Sequence, residues 1–273
     1  MKKLVVTGSF DNLGSRQVRF LEEASKAGNV HVLLWSDETV RVLEGKAPAF
    51  PEEERSYLLQ AFRYVSQVTL LVGPTEPHAL PRLDGVQPDL WVVDEASDDV
   101  RKRAHAKSQG MEYRVVKEES LRGFPPARFE ICEGPSPRKR VMVTGCFDWF
   151  HSGHVRFFEE VSQLGDLYVV VGHDENIRLL KGPGHPMFPQ DERRYMVQSV
   201  RYVRQALIST GQGWMDAEPD TALIRPDMYA VNEDGDKPEK QSFCEAHGIQ
   251  YVVLKRIPKE GLPRRQSTNF RGF

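Results

Sequence analysis

Two histidines three residues apart flank a glycine in the run Thr144-Gly145-Cys146-Phe147-Asp148-Trp149-Phe150-His151-Ser152-Gly153-His154. Residues at that spacing share one side of a helical turn, so both imidazoles can face one point. Gly153 removes the side chain that would block an approaching phosphate. A helix opening here offers unpaired N–H groups and the positive end of its dipole, and both attract anions. The chemistry favoured is stabilisation of charge building on a phosphoryl group. The four-residue string alone is weak; its place between a strand and an amphipathic helix gives it weight.

The flanking segments read as the elements that would position such a turn. Arg140–Thr144 is a short β-rich run, and Val155–Leu164 carries Val155, Phe158 and Val161 at the spacing of one helical face. Leu167–Val171 is continuously apolar, as a buried parallel strand is. Glu192–Val203 reads as a helix, Ala206–Ser209 and Met228–Val231 as strands, Lys237–His247 as a helix and Tyr251–Leu254 as a last strand. Alternation of this kind predicts an α/β fold, doubly wound around a parallel sheet, with its ligand at the carboxyl ends of the strands. His173, just after a strand, and the turn Asn232-Glu233-Asp234-Gly235-Asp236-Lys237 are then candidates for substrate binding, with Asn232 and Asp234 foremost. Trp149 and Trp214 are candidates for an acceptor pocket, whereas His185 and His247 read as surface residues.

The same pattern occurs twice. Val6-Thr7-Gly8-Ser9-Phe10-Asp11 returns as Val143-Thr144-Gly145-Cys146-Phe147-Asp148, an offset of 137, and Val18-Arg19-Phe20 returns as Val155-Arg156-Phe157. Beyond a one-residue insertion near Gly184 the offset is 138, matching Glu54-Arg55 to Glu192-Arg193 and Arg63-Tyr64-Val65 to Arg201-Tyr202-Val203. So many identities in register imply a tandem duplication. The expected division is a first domain over residues 1–124, a linker over 125–139 and a second domain over 140–273. The first copy has Gly14-Ser15-Arg16-Gln17 where the second has its histidines, Glu44 for Lys181 with Lys46 close by, and Phe129-Glu130 for Ser267-Thr268. It is expected to keep the fold without the chemistry, and to pack on the second copy as an intrachain pseudo-dimer.

Composition narrows the function classes. The 273 residues carry 37 Lys+Arg against 39 Asp+Glu, a net charge of −2, which excludes a global positive field for nucleic acid or a basic membrane surface. Mean hydropathy is −0.49, ordinary for a soluble chain. Cys132, Cys146 and Cys244 are odd in number and widely spaced, which fits neither a disulfide framework nor a structural zinc site and suits a cytoplasmic setting. No stretch reads as a signal peptide or membrane span.

Gly145-Cys146-Phe147-Asp148, His151-Ser152-Gly153-His154, Lys181-Gly182, Glu192-Arg193 and Arg201-Tyr202-Val203 resemble the cytidylyltransferase-type nucleotidyltransferases, the His-x-Gly-His superfamily. The tandem layout is similar to that of the ethanolamine-phosphate cytidylyltransferases. The resemblance implies two Rossmann-like nucleotidyltransferase domains in tandem. It also implies transfer of CMP from CTP to a phosphorylated or phosphonate alcohol, with release of pyrophosphate. It assigns His151, His154 and Lys181 to catalysis. Thr144, Gly145, Cys146, Phe147, Asp148, Gly153, Arg264, Arg265, Ser267 and Thr268 would bind nucleotide, and Arg201 would bind substrate phosphate. Mg²⁺ would be held mainly through the nucleotide phosphates, with Asp148 as its nearest protein group. Leu262 stands where the family's C-terminal motif has its leading arginine. Ile177–Pro186 is similar instead to adenylyltransferases that activate heptose phosphate with ATP; the bulky Phe150 before His151 is a feature of members that use CTP, the favoured donor.

Overall fold

The protein is described by a computed structural model, over residues 2–11, 13–73, 76–81, 87–128, 130–131 and 136–266. The chain forms two compact units, Met1–Gly123 and Phe124–Phe273. Unit 1 comprises β1 (Lys2–Gly8), α1 (Ser15–Ser25), β2 (Gly28–Trp35), α2 (Asp37–Glu44), α3 (Glu52–Ala61), β3 (Val65–Leu71), β4 (Leu90–Asp94), α4 (Val100–Ser108) and β5 (Glu112–Val116). Unit 2 comprises β6 (Arg140–Gly145), α5 (Ser152–Leu164), β7 (Asp166–Val171), α6 (Asp174–Lys181), α7 (Gln190–Ser199), β8 (Val203–Ile208), α8 (Glu218–Ile224), β9 (Met228–Asn232), α9 (Pro238–Ala246) and β10 (Gln250–Leu254).

Each unit holds one five-stranded sheet, ordered β3-β2-β1-β4-β5 in unit 1 and β8-β7-β6-β9-β10 in unit 2. All pairings are parallel. The two orders are the same, strand for strand, and this is the α/β Rossmann-like arrangement. The chain reverses direction across the sheet at the central strand, so a cleft opens at the carboxyl ends of β1 and β6. The strands are covered on both faces: Leu167, Tyr168, Val169, Val170 and Val171 of β7 are all buried. Met142, Tyr168, Val170, Tyr229 and Val231 pack with Leu207, Ile224 and Cys244 beneath α8 and α9.

Two polar residues hold the first turn of each unit in shape. Asp148, buried at 3% exposure, accepts the N–H groups of Met187 and Phe188 at 2.9 and 3.1 Å. Asp11 does the same in unit 1 for Ala49 and Phe50, at 2.7 and 2.9 Å. Arg193 donates to the carbonyls of Phe188, Cys146 and Gly172 and to Asp174, at 2.7–2.9 Å. Arg55 donates to Phe50, Ser9, Trp35 and Asp37 at the matching positions. Phe147 and Phe10 both take a positive φ, 53° and 46°. A Cβ on Gly145 would lie 2.8 Å from the ring of Phe147, so the glycine is what lets the ring fold back.

Some boundaries differ from those read in the sequence. The helix expected to run to Val203 ends at Ser199, because Val200 turns extended and Val203 already begins β8. The segment expected as a linker carries contacts with unit 2: Pro125 accepts from Arg194, and the carbonyls of Arg128 and Glu130 accept from Gln205; Phe124, expected as the end of the first domain, stacks on Tyr195. The Glu130 carbonyl is therefore engaged with β8 of unit 2; Phe129 lies outside the described residues.

Candidate active site

The unit 2 cleft encloses about 360 Å³. Its walls include Thr144, Gly145, Cys146, Phe147, Asp148, Gly153, His154, Lys181, Asn232 and Asp234, ten of the residues expected from sequence, which six separate elements and turns supply. His151 caps α5: its Nδ1 accepts the Gly153 N–H at 3.0 Å, so the proton of the neutral ring sits on Nε2. The His154 ring stacks on that of His151, centroids 4.0 Å apart, with Phe147 and Phe150 at 5.4 and 5.5 Å. His154 Nδ1 is buried without a hydrogen-bond partner among the described residues.

Burial keeps both imidazoles neutral. The His151 pKa is pushed down to about 3 by desolvation and by the cations Arg256 and Arg265; desolvation and the neighbouring His151, Arg256 and Lys181 hold His154 well below its usual value. The cleft is thus cationic through its arginine and lysines while its imidazoles remain uncharged.

The sign of the pH effect follows. The unfolded histidines take up protons near pH 6.5, and the folded ones do not until far lower pH. Their contribution is full above about pH 6.5 and is lost as pH falls towards 3, at up to ~1.4 kcal/mol per pH unit for each ring. Melting curves of unit 2 are expected to shift downward from pH 7 to pH 4.5. The shift should be shallower in His151→Gln.

Gly153 touches this geometry directly. A Cβ there would lie 2.8 and 2.9 Å from Cε1 and Nδ1 of His151. Gly153→Ala must therefore turn the capping imidazole, and a displacement of about 1 Å is worth roughly a hundredfold in rate. Such a loss in kcat/KM, with an unchanged melting temperature, is the expected result.

Other expected site residues have different places. His173 caps α6: Nδ1 accepts the Asn176 N–H at 3.2 Å and Nε2 bonds the Gly211 carbonyl at 2.8 Å, which uses up the ring. Arg201 immediately precedes β8, at the amino end of the sheet and away from the cleft. Both oxygens of Asp148 accept loop amides, so it holds the turn while lining the cleft. Arg264 and Arg265 line a narrow groove against Ser152, Gly153 and Arg156, beside the cleft. Ser267 and Thr268 lie outside the described residues. Sequence reading missed Arg256 and Lys240. Arg256 follows β10, pairs with Asp234 and donates to the Arg265 carbonyl at 3.1 Å; its position just past a strand end was the available signal.

Unit 1 has its own cleft, of about 260 Å³. Arg16 stands at the position of Gly153 and donates to Asp94 at 2.8 Å and to Glu118. Those two acids occupy the positions of Asn232 and Arg256, and Glu44 lines the wall where unit 2 has Lys181. The charge that would meet a phosphate is reversed.

The family described as cytidylyltransferase-like matches residues 142–263. The FAD synthase of Thermococcus kodakarensis is 37% identical over 126 residues, 44% of this chain and 79% of that protein. The chain belongs to the cytidylyltransferase-like family. The bifunctional protein HldE of Vibrio atlanticus is 41% identical over 87 residues, 32% of this chain but 17% of that one. The structure of a lipopolysaccharide core biosynthesis protein from Thermoplasma volcanium is 27% identical with a TM-score of 0.38, over 45% of this chain and 99% of that chain. These relatives are not the ethanolamine-phosphate cytidylyltransferases that the tandem layout resembles. Among the described residues no helix is long and apolar enough to cross a membrane.

Proposed function

We propose that unit 2 transfers a nucleotidyl group from a nucleoside triphosphate to the phosphate of a small acceptor. An acceptor oxygen attacks the α-phosphorus, the bond to the β-phosphate oxygen breaks, and pyrophosphate leaves. The observation that carries this reading is the neutral His154, stacked on the buried His151 at the start of α5 and lining one cleft with Gly153, Lys181 and Arg256. Donors fixed before the reaction stabilise charge as it develops, without reorganisation at that moment. Mg²⁺ would enter with the triphosphate and neutralise its charge.

ATP is the favoured donor, since the FAD synthase relative makes a product containing an adenylyl group joined to a flavin phosphate. CTP is the second reading, supported by Phe150, whose ring lies 5.5 Å from His154. We further propose that the two units are diverged copies of one domain and that unit 1 does not turn over, its anion position being filled by Arg16. Pyrophosphate release should be measured with ATP and CTP against FMN, a sugar 1-phosphate, phosphoethanolamine and 2-aminoethylphosphonate. Release is expected with ATP and one of these acceptors, and it should be unchanged within about twofold in Arg16→Ala. Preference for CTP would replace the donor assignment; no release with any pair, and no nucleotide binding by calorimetry, would overturn the reading.

A further inference from the structure

Thr144 lines the unit 2 cleft, and its hydroxyl is bonded to a buried phenol. Met142 of β6 is in register with Tyr229 of β9. Thr144 follows Met142 by two residues and so shares its face of the sheet, within reach of the longer tyrosine. Tyr229 Oη and Thr144 Oγ1 lie 2.8 Å apart. The tyrosine is 2% exposed and belongs to the apolar cluster of Met142, Val231 and Cys244. Lys240 lines the same cleft, and its Nζ lies 5.6 Å over the Tyr229 ring.

The phenol is the donor in this bond. Thr144 is its one hydrogen-bond partner among the described residues. Were Thr144 to donate, the phenolic hydrogen would be buried with no acceptor, which is costly. Tyr229 therefore donates and Thr144 accepts. Desolvation holds the phenol above its ordinary pKa, so it keeps its proton at neutral pH. The Thr144 hydrogen is left to the cleft, where a lysine also awaits an anionic oxygen.

Unit 1 keeps the threonine without the pair. Thr7 stands for Thr144 and lines the unit 1 cleft. Trp91 stands for Tyr229, in register with Val5 as Tyr229 is with Met142. An indole donates and does not accept, and the buried Trp91 N–H has no hydrogen-bond partner among the described residues. An aromatic ring at this place thus serves the core of unit 1 without bonding its threonine. The phenol–threonine bond occurs in the half that carries the histidines.

We infer that Tyr229 is a positioning residue for unit 2: its phenol fixes the Thr144 hydroxyl so that the threonine hydrogen is donated to a phosphoryl oxygen of a substrate. A donor aimed in advance needs no reorganisation when the substrate arrives. The inference rests on the nucleotidyl-transfer reading for its substrates. The α-phosphate of the donor and the phosphate of the acceptor share this chemistry.

The test uses the full chain as Tyr229→Phe, Thr144→Val, Thr144→Ser and the double variant with Thr144→Val and Tyr229→Phe. Calorimetry with ATP reads the donor; KM and kcat for pyrophosphate release with FMN or phosphoethanolamine read the acceptor and the step. Thr144→Val should cost about tenfold to a hundredfold, as loss of a hydrogen bond to a charged group does. Thr144→Ser should recover most of that loss. Tyr229→Phe should cost about threefold to tenfold, and nothing further in the Thr144→Val background, because Tyr229 acts through Thr144. Its melting temperature should hold, since the ring stays packed. Weaker ATP binding assigns the donor phosphate, a raised acceptor KM the acceptor phosphate, and a lower kcat alone the transition state. Changes within about twofold in Tyr229→Phe, or losses that multiply in the double variant, overturn the positioning role. A lower melting temperature with unchanged kinetics, the mark of a purely structural bond, overturns it too. Wild-type turnover in the same assays leaves the transfer reading standing in each of these cases. Absence of wild-type turnover is the failure of that reading instead, and ATP affinity across the four variants then decides the role of the pair.

Discussion

His154→Asn is expected to lower kcat/KM for pyrophosphate release by about a hundredfold to a thousandfold, the usual cost of one lost donor to a developing oxyanion. The fold should survive. The ring makes aromatic contacts with Phe147, Phe150 and His151, but its Nδ1 has no partner among the described residues, so no internal hydrogen bond through that atom is broken. The variant's nucleotide affinity should fall far less than its turnover, since Lys181 and Arg256 still line the cleft. Turnover within threefold of wild type would remove His154 from the reaction. An arriving triphosphate also changes the ring electrostatics: its negative charge offsets Arg256 and Lys181 and draws the imidazole pKa upward, so bound nucleotide should reduce the acid sensitivity of the melting temperature.

Arg193→Met is expected to be the most damaging single change to stability. The guanidinium is 1% exposed and ties the carbonyls of Phe188, Cys146 and Gly172 to Asp174. Methionine fills similar space but leaves three carbonyls and a carboxylate without their donor. Removing one partner of such a buried charged network costs about 3–5 kcal/mol, a large part of the ~5–15 kcal/mol that holds a domain together. In a domain of this size the melting temperature should fall by roughly 10 °C. Arg55→Met should do the same to unit 1 while leaving the turnover of the surviving unit 2 measurable. Calorimetric melting of both variants, with pyrophosphate release on the same samples, checks both statements. A melting temperature within 3 °C of wild type in Arg193→Met would show that water replaces the guanidinium.

The alternation of strands and helices was legible because parallel strands are buried on both faces and read as apolar runs, as Leu167–Val171 does. The His151–His154 turn was legible because its parts are contiguous. Arg256 and Lys240 were not, for they come from beyond β10 and from α9. Only closure of the sheet brings them to one end. Position near a motif does not fix the use of a side chain. His173 caps a helix, Asp148 accepts loop amides while lining the cleft, and Arg201 lies before β8, at the amino end of that strand. A polar side chain after a strand has two uses, binding and capping, and spacing does not distinguish them.

The paired Asp and Arg, present in both units as Asp11 with Arg55 and Asp148 with Arg193, have a practical bearing on how sequences of this kind are sorted. The half without the histidine pair still contains both. A survey keyed to Gly-x-Phe-Asp and a downstream buried arginine would therefore gather both halves alike. Under the proposed assignment the two halves part at positions 153, 232 and 256, where one carries Gly, Asn and Arg and the other carries Arg, Asp and Glu. A natural or designed copy could be silenced, or partly revived, at those three places with the scaffold left intact.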